Sequence, residues 1–269
     1  MGRYGSAARR YERAVALARA QDDRRGVSRL LLRQGMALSA LGQCSVAIPR
    51  LRESEAVRRQ LKDDDGVRRA QLALGRCLAD TGDTLGAMKT LATAAQDAKG
   101  CLRVEALAGL GAMRARTGDT DAARQQYALA ARAPCNEPGT SALLAYNRGR
   151  LAQRDGERVT AKASFQRAAK HYASAQDEAG LSDALFALGQ LHAGAGRAAA
   201  AGDALRRAGH AAWSASQPRR AAQAFALAAQ QLRKAGQSAE AEECLALGRR
   251  ALPTAARAEP KGAAPSAAR

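Results

Sequence analysis

Small side chains recur at intervals of about forty residues, and this periodicity limits what the chain can fold into more than any other feature. Six anchor positions are separated by 40, 36, 38, 40 and 40 residues: Gly35, Gly75, Gly111, Gly149, Gly189 and Ala229. An alanine follows each anchor by twelve residues, and a leucine, tyrosine or phenylalanine follows that alanine by four. Self-similarity at a fixed period is the signature of a repeat architecture, in which each repeat is one supersecondary unit.

A second series of glycines predicts where the helices of each repeat turn. These glycines lie seven residues after each anchor, at Gly42, Gly82, Gly118, Gly156, Gly196 and Gly236. Glycine is the usual residue where a helix ends with a positive φ. Each repeat is therefore predicted to be helix, glycine turn, helix and loop. The longer loops are predicted to be acidic and to end in glycine, at 22–26, 63–66 and 177–180.

The composition favours an all-α fold. Aromatic residues make up only 3% of the chain, whereas alanine, leucine and arginine, which are good helix formers, are abundant. Small side chains at Gly75 and Ala87 are expected to let two helices approach closely, with Leu78 and Leu91 filling the groove around the contact. We predict an α-solenoid of stacked antiparallel helix pairs, about six and a half repeats over residues 1–252.

Two segments are predicted to depart from the repeats. Pro134 and Pro138 interrupt the pattern and predict a bend near 134–140, between two subarrays. Residues 253–269 are low in complexity and are predicted to be a disordered tail.

The repeated pattern L-G…G…A…[YFL]…A resembles the tetratricopeptide repeat and covers roughly residues 4–252. The spacing resembles a long variant of that repeat, whose usual length is about 34 residues. The resemblance departs from the family in two ways, since the aromatic residue near the start of the first helix and the closing proline are mostly missing. It implies a protein-binding scaffold in which the first helices of successive repeats line a concave face where peptides dock.

The register of the repeats then predicts which side chains line that concave face. The outward positions lie six, three and two residues before each anchor, and one and five after it. They hold Arg29, Arg33, Arg69, Arg76, Arg116, Tyr146, Asn147, Arg150, Arg154, Phe186, Gln190, Gln230 and Lys234. A groove lined by arginine favours carboxylates through paired N–H donors, although some of these arginines are expected to be merely solvated. Only Asn147 matches the carboxylate clamp of chaperone-binding members, so chaperone-tail binding is not predicted.

The formal net charge of +18 allows two interpretations. It attracts an acidic partner, or it reflects the arginine-rich composition that a GC-rich, bacterial genome tends to encode. Nucleic-acid binding is disfavoured because few aromatic side chains are present to stack on bases, which leaves only non-specific, salt-sensitive affinity.

The five cysteines, an odd number without a C-x-x-C motif, predict reduced thiols and a cytoplasmic protein. Cys77 is expected to be buried and inert. Equivalent points on stacked repeats lie about 10 Å apart, beyond the Cα span of a disulfide, so a Cys101–Cys135 bond would need movement of the loops in an oxidising compartment. No apolar run is long enough to predict a membrane span.

The sequence predicts no enzyme, cofactor or metal site. The segment "GAGRAA" at 194–199 matches a dinucleotide-binding pattern, but it lies in a helix–turn–helix context instead of after a strand. No His–Cys cluster has zinc-like spacing. His192 occupies a position that holds leucine in other repeats, and it is expected to be a partly buried packing residue.

The leading hypothesis is a non-enzymatic protein–protein interaction scaffold that holds an acidic or extended protein segment. The alternative is a sensor or regulatory fragment of a larger bacterial signalling protein, such as a kinase or transcription activator. The chain starts in the second helix of a repeat, whose apolar residues Tyr11, Val15 and Leu17 are expected to be exposed. That face is expected to bind an upstream domain or a second copy, and an upstream partner helix in the reading frame would favour the alternative.

Overall fold

A computed structural model describes residues 3–252, and in that range the secondary structure consists of thirteen α-helices without a strand. The described residues divide into two compact units, on either side of the boundary between Asp155 and Gly156. The predicted all-α architecture of serial helix pairs is confirmed, because consecutive helices pack against each other within each unit. The predicted tail, 253–269, lies outside the described residues. The loop expected to form a bend belongs to the first unit, and the bend itself stays a prediction.

The N-terminal unit contains eight helices in its described residues. They are α1 (Arg3–Ala20), α2 (Arg24–Ala40), α3 (Cys44–Gln60), α4 (Asp64–Asp80), α5 (Thr84–Gln96), α6 (Gly100–Arg116), α7 (Thr120–Arg132) and α8 (Pro138–Arg154).

The C-terminal unit contains five helices in its described residues. They are α9 (Arg158–Ser174), α10 (Glu178–Gly194), α11 (Ala198–Ser214), α12 (Pro218–Lys234) and α13 (Ser238–Ala251).

Four of the five anchor glycines make room for a large side chain from the next helix. A Cβ on Gly75 would lie 2.7 Å from Cγ of Leu91, and one on Gly189 would lie 2.6 Å from Cγ of Leu205. Carbon atoms pack at about 3.5–4.0 Å, so alanine does not fit at these anchors without movement. Leu91 therefore occupies the space that a side chain at Gly75 would need, and the backbone carbonyl oxygen of Ala201 lies 3.3 Å from the Cβ position of Gly189.

The alanines twelve residues after the anchors are fully buried. Their exposed fractions are 0% at Ala47, Ala87, Ala123, Ala161, Ala201 and Ala241. Interiors are packed like organic crystals, so a position enclosed this closely holds a methyl group and nothing larger. This requirement explains why alanine recurs at one offset in every repeat.

The predicted glycine turns are confirmed. All six lie in the left-handed region, with φ between 72° and 90°. Four other connections use non-glycine residues in that region, at Asp22, Lys62, Gln176 and Ser216. Sequence reasoning placed loops at or beside the first three of these turns, but it did not identify the residues with positive φ because it looked for glycine.

The acidic segments are helix starts instead of glycine-ended loops. The backbone N–H of Gly26 donates to Asp23 Oδ1 at 2.8 Å, and Gly180 donates in the same way to Asp177 at 2.9 Å. Each aspartate is thus an N-cap, which satisfies a backbone donor that the helix leaves unpaired. Each glycine belongs to the first turn of its helix, and a side chain there would collide with the capping aspartate.

The cysteines contradict the expectation of reduced thiols. Disulfide bonds join Cys44 to Cys77, with Cα atoms 4.9 Å apart, and Cys101 to Cys135, with Cα atoms 4.8 Å apart. Both distances fall within the usual Cα span of a disulfide. Only Cys244 is free among the cysteines, all of which are described, and it is buried.

The spacing estimate failed because the paired cysteines are not at equivalent points. Cys101 lies in the first turn of α6, whereas Cys135 lies in the loop that follows α7. That loop begins in an extended conformation at Ala133, with ψ 134°. It passes close to the start of α6, since a Cβ on Gly100 would be 3.6 Å from the carbonyl oxygen of Pro134.

The first helix buries most of the apolar face that was expected to be exposed. Val15 is buried against residues of α2, and Tyr11 is half-buried against the cluster that includes Leu32 and Leu38. Of the three apolar residues, only Leu17 is exposed. The surface on which the predicted self-association depends is therefore smaller than the sequence indicated.

Candidate functional site

The candidate site is a groove in the N-terminal unit, formed where α4, α6 and α8 lie side by side. The middle helix, α6, contacts both of the others. We call this feature the α6 groove; it encloses about 650 Å³, and the polar side chains in its lining are Asp80, Arg116, Asn147, Arg150, Gln153, Arg154 and the buried Tyr127. Four residues predicted from the register are brought together here: Arg116, Asn147, Arg150 and Arg154.

Short side chains from α6 form much of the groove between the charged walls. This helix contributes Ala112, Met113 and Ala115, of which the alanines extend no further than Cβ. All three are half-buried, so their remaining surface is open to the groove. A protein backbone can therefore approach this helix closely.

Two of the groove arginines also have a structural role. Arg116 donates through Nη1 to the carbonyl oxygen of Ala79 at 3.0 Å, and through Nη2 to Thr84 Oγ1 at 2.7 Å. One repeat further on, Arg154 makes the same pair of bonds, to the carbonyl of Ala115 and to Thr120 Oγ1.

The carbonyl acceptors of these two arginines belong to the last turns of α4 and α6, where helices have unpaired carbonyl groups and favour positive charge. These bonds fix the orientation of both guanidinium groups. Each guanidinium has five N–H donors, so further donors remain for a ligand.

Arg150 is the groove arginine that the protein leaves most available. It is exposed, and it makes neither an ion pair nor a hydrogen bond within residues 3–252. Arg150 also lies close enough to Tyr127 to influence the pKa of its phenol. Burial raises the pKa of Tyr127 to about 12, and the positive charges of Arg150 and Arg154 oppose that rise.

The register counting missed the acidic residues of the same face. Asp80 lines the α6 groove, five residues after the anchor Gly75. Glu105 lies six residues before the anchor Gly111 and pairs with Arg76 at 2.8 Å. Both occupy offsets used to select the arginines, so the signal was present in the sequence. As a result, the predicted binding residue Arg76 is already neutralised by a carboxylate.

Most of the other predicted residues of the N-terminal unit do not line the α6 groove. Arg29, Arg33 and Arg69 are exposed on α2 and α4, but none is among the residues that line it. Tyr146 is half-buried on α8. Asn147, which does line the groove, donates to the carbonyl oxygen of Ala108 at 3.4 Å.

In the C-terminal unit, one predicted site residue is a packing residue. Phe186 packs against two hydrophobic clusters that include Phe225 and Leu185. Gln190, Gln230 and Lys234 are exposed. Nothing in this unit's geometry distinguishes these three from other solvated side chains.

The titratable residues that the sequence singled out do not form a reactive cluster. His192 is half-buried at the end of α10, and burial lowers its pKa, with smaller contributions from Lys162 and Arg197. Burial raises the pKa of the Cys244 thiol. Across residues 3–252, histidine, cysteine and acidic side chains nowhere gather in a set of three or more that could hold a metal ion.

None of the helices in the described part of the chain combines the length and apolarity that crossing a bilayer requires.

Comparison with known proteins identifies the fold through solved structures. The sequence matches no protein-family profile and no curated protein. A chain of the APC/C hetero-tetramer Cut9–Hcn1 is 17% identical and superposes with a TM-score of 0.62, over 93% of this chain and 47% of that chain.

Two further structures show the same likeness. A signal transduction ATPase with numerous domains from Pyrococcus horikoshii, which carries a tetratricopeptide repeat sensor, gives a TM-score of 0.61 at 11% identity, over 91% of this chain and 40% of that one. A Rap protein complexed with competence and sporulation factor gives 0.57 at 11% identity, over 91% and 75%. This chain spans less than half the length of Cut9–Hcn1 and of the ATPase.

These likenesses at 11–17% identity show the fold alone. They agree with the serial helix pairs, the buried alanines and the glycine turns of residues 3–252. The chain has the tetratricopeptide-repeat fold.

Proposed function

We propose that the protein is an interaction scaffold that binds an extended segment of another protein in the α6 groove, with the carboxylates of that segment on Arg150 and Arg154. The proposal assigns no catalytic role to any residue. It is supported first by the fold, since stacked helical repeats present extended concave surfaces for binding.

The observation that carries the proposal is the state of the three groove arginines. Arg116 and Arg154 are held in place by helix carbonyls and threonine hydroxyls. Arg150 is exposed and has no ion pair among the described residues. Oriented guanidinium groups with spare donors bind carboxylates through paired, charge-assisted hydrogen bonds. These donors support an acidic partner.

The test is capture of partners from a lysate of the source cells, with quantitative mass spectrometry of three baits. The baits are the wild type, Arg150→Glu and Arg52→Glu; Arg52 is an exposed arginine of α3 outside the groove, and it makes no ion pair among the described residues. Proteins held in the groove are expected to be depleted at least fivefold on Arg150→Glu and unchanged on Arg52→Glu. Equal capture by all three baits would overturn the proposal.

A second candidate is a sensor or regulatory part of a larger signalling protein. The observation that favours it is the likeness to the ATPase from Pyrococcus horikoshii, in which a tetratricopeptide repeat sensor is one part of a longer chain. The two candidates differ in whether the repeats act on a separate partner protein or on a domain of the same polypeptide. A partner captured in trans supports the scaffold, whereas an adjoining kinase, ATPase or DNA-binding domain in the natural reading frame supports the sensor.

Self-association through the first helix remains a lesser proposal, since Leu17 is the exposed member of its three predicted contact residues. Sedimentation of the wild type and of Leu17→Ser tests it, and a concentration-independent monomer for both rejects it.

Non-specific affinity for nucleic acid would vanish by moderate salt and would not depend on the nucleotide sequence. A cytoplasmic location is also a proposal, and the two disulfides argue against it because cytoplasmic thiols are kept reduced.

A further inference from the structure

The α6 groove contains charges of both signs that the protein leaves without ion pairs. Asp80 ends α4 on one side of α6, and Arg150 lies on α8 on the other side. Both are exposed, and neither makes an ion pair in the range 3–252. A ligand that carries only negative charge complements one wall of this groove and not the other.

The position of Asp80 is unfavourable for the helix that carries it. A carboxylate at the C-terminal end of a helix meets the negative end of the macrodipole, which is unfavourable. The equivalent positions in the next two repeats hold Arg116 and Arg154, the favourable sign at a helix end. Helix stability therefore does not account for Asp80.

Arg116 lies next to Asp80 but does not use it as a partner. Its two recorded bonds go to the carbonyl oxygen of Ala79 and to Thr84. The Asp80 side chain therefore stays exposed and makes no ion pair among the described residues. A carboxylate that lies beside one guanidinium can also pair with a basic side chain of a ligand.

We propose that the segment bound in the α6 groove carries a basic side chain that pairs with Asp80 and an acidic side chain that pairs with Arg150, about five or six residues apart. The proposal rests on the proposed function and specifies the partner. α6 lies between α4 and α8, and neighbouring helix axes are about 8–10 Å apart, so a segment that crosses from α4 to α8 spans roughly 16–20 Å. An extended chain rises about 3.3 Å per residue, which gives this separation.

In the bound segment, the side chains between the basic and the acidic residue are expected to be small or unbranched. They pass over α6, where Ala112, Met113 and Ala115 leave space for a backbone but little depth for large groups. Met113 provides one flexible apolar contact, which adapts to the shape of the residue above it.

The experiment uses fluorescein-labelled peptides of glycine and serine, twelve residues long, with one lysine and one glutamate. In one set the two charged residues are five positions apart, in both orders, and in a second set they are two positions apart. Control peptides replace lysine by glutamine, or both charges by glutamine. Fluorescence anisotropy at about 10 mM salt, where the Debye length is about 30 Å, maximises the contrast.

Wild-type protein is expected to bind the five-position peptide about two- to fivefold more tightly than its lysine-to-glutamine control, the range of one exposed ion pair. Asp80→Asn is expected to remove that advantage, and Arg150→Gln is expected to remove the contribution of glutamate. Arg52→Gln, the matched control, is expected to change neither.

The outcomes separate this inference from the proposed function. If glutamate contributes through Arg150 while lysine adds nothing, or if spacing has no effect, the inference is wrong and the scaffold function stands. If Arg150→Gln changes the affinity for none of the peptides, both are wrong. The thermal stability of each variant, measured alongside, confirms that it is folded, and Asp80→Asn is expected to unfold at the wild-type temperature or slightly above it.

Discussion

At the scale of single residues, the fold depends on positions where one methyl group decides the packing. Four of the anchor glycines lie under a large side chain of the next helix, and the alanines of the second helix are completely enclosed. Both requirements leave a record in the sequence, because only glycine or alanine occurs at these positions. The repeat could therefore be read from the sequence with few alternatives.

Two glycines of α10 test this interpretation. Gly189→Ala is expected to lower the free energy of unfolding by about 1–3 kcal/mol, the usual cost of overpacking, because its Cβ would meet Leu205 and the backbone carbonyl of Ala201. Gly194→Ala on the same helix meets nothing within 4 Å, and it is expected to be neutral or stabilising by up to about 1 kcal/mol. Urea denaturation followed by circular dichroism compares them, and equal effects would contradict the packing account.

The buried phenol gives a prediction about pH. The pKa of Tyr127 is about 12 in the folded protein, above the ordinary value of about 10, because burial favours the neutral form. The stabilisation is fully present below pH 10 and is lost as pH rises toward 12. Relative to Tyr127→Phe, the wild type is expected to lose on the order of 2–3 kcal/mol over this range.

The absorbance of tyrosinate measures the same ionisation directly. The difference between wild type and Tyr127→Phe is expected to titrate near pH 12, and a midpoint near 10 would show that the phenol is solvated. In Arg150→Glu, the midpoint is expected to rise further, because Arg150 lowers the pKa of Tyr127 in the wild type.

At the scale of helices and loops, prediction was less complete because these features depend on pairs of residues distant in sequence. The glycine turns were predicted correctly, since a positive φ has a local signature. The turns at Lys62 and Gln176 have no such signature, and the disulfides depend on the path of a loop between helices. Local patterns do not contain this information.

Two capping aspartates of the N-terminal unit allow the contribution of helix capping to stability to be distinguished from that of charge pairing. Asp83 caps α5 through the N–H of Gly86 at 2.9 Å. Asp63 caps α4 in the same way and also pairs with the buried guanidinium of Arg58 at 2.7 Å. Asp83→Ala is expected to cost about 1 kcal/mol of unfolding free energy.

Asp63→Ala is expected to cost about 2–4 kcal/mol, because it also leaves a buried charge without its partner. Chemical denaturation of the two variants provides the comparison. Equal losses would mean that the Arg58–Asp63 pair contributes nothing beyond the cap.

The disulfides predict the reactivity of the cysteines toward alkylation. Protein denatured without reduction is expected to accept one iodoacetamide group, on Cys244, and five after reduction. Three or five groups before reduction would contradict one or both bonds.

Reduction is also expected to loosen the N-terminal unit. The bonds close loops of 33 and 34 residues, and each is expected to contribute about 3–4 kcal/mol in the chain-entropy model. Cys135 lies just before α8, which carries Arg150 and Arg154. Hydrogen exchange is therefore expected to rise in α8 on reduction and to stay unchanged in α10–α13, which contain no disulfide.

At the scale of the whole molecule, the sequence predicted the fold class and four of the residues that line the candidate site. Four predicted groove residues line one groove, whereas Phe186 proved to be a packing residue and Arg76 is paired with Glu105. Register counting places a residue on a face, but it does not show which neighbour neutralises it. Asp80 and Glu105 occupy offsets that the register did count, and they were overlooked because only basic and uncharged residues were selected there.

The account depends most on whether the α6 groove holds a partner. The most direct measurement is photo-crosslinking with p-benzoylphenylalanine in place of Gln153, which lines the groove, and in place of Gln125, an exposed glutamine of α7 outside it. Irradiation in the source cells, followed by mass spectrometry, is expected to attach one defined protein segment containing an acidic residue at position 153 and nothing reproducible at position 125. The same products at both positions, or none at 153, would contradict the claim that this groove is a site of recognition.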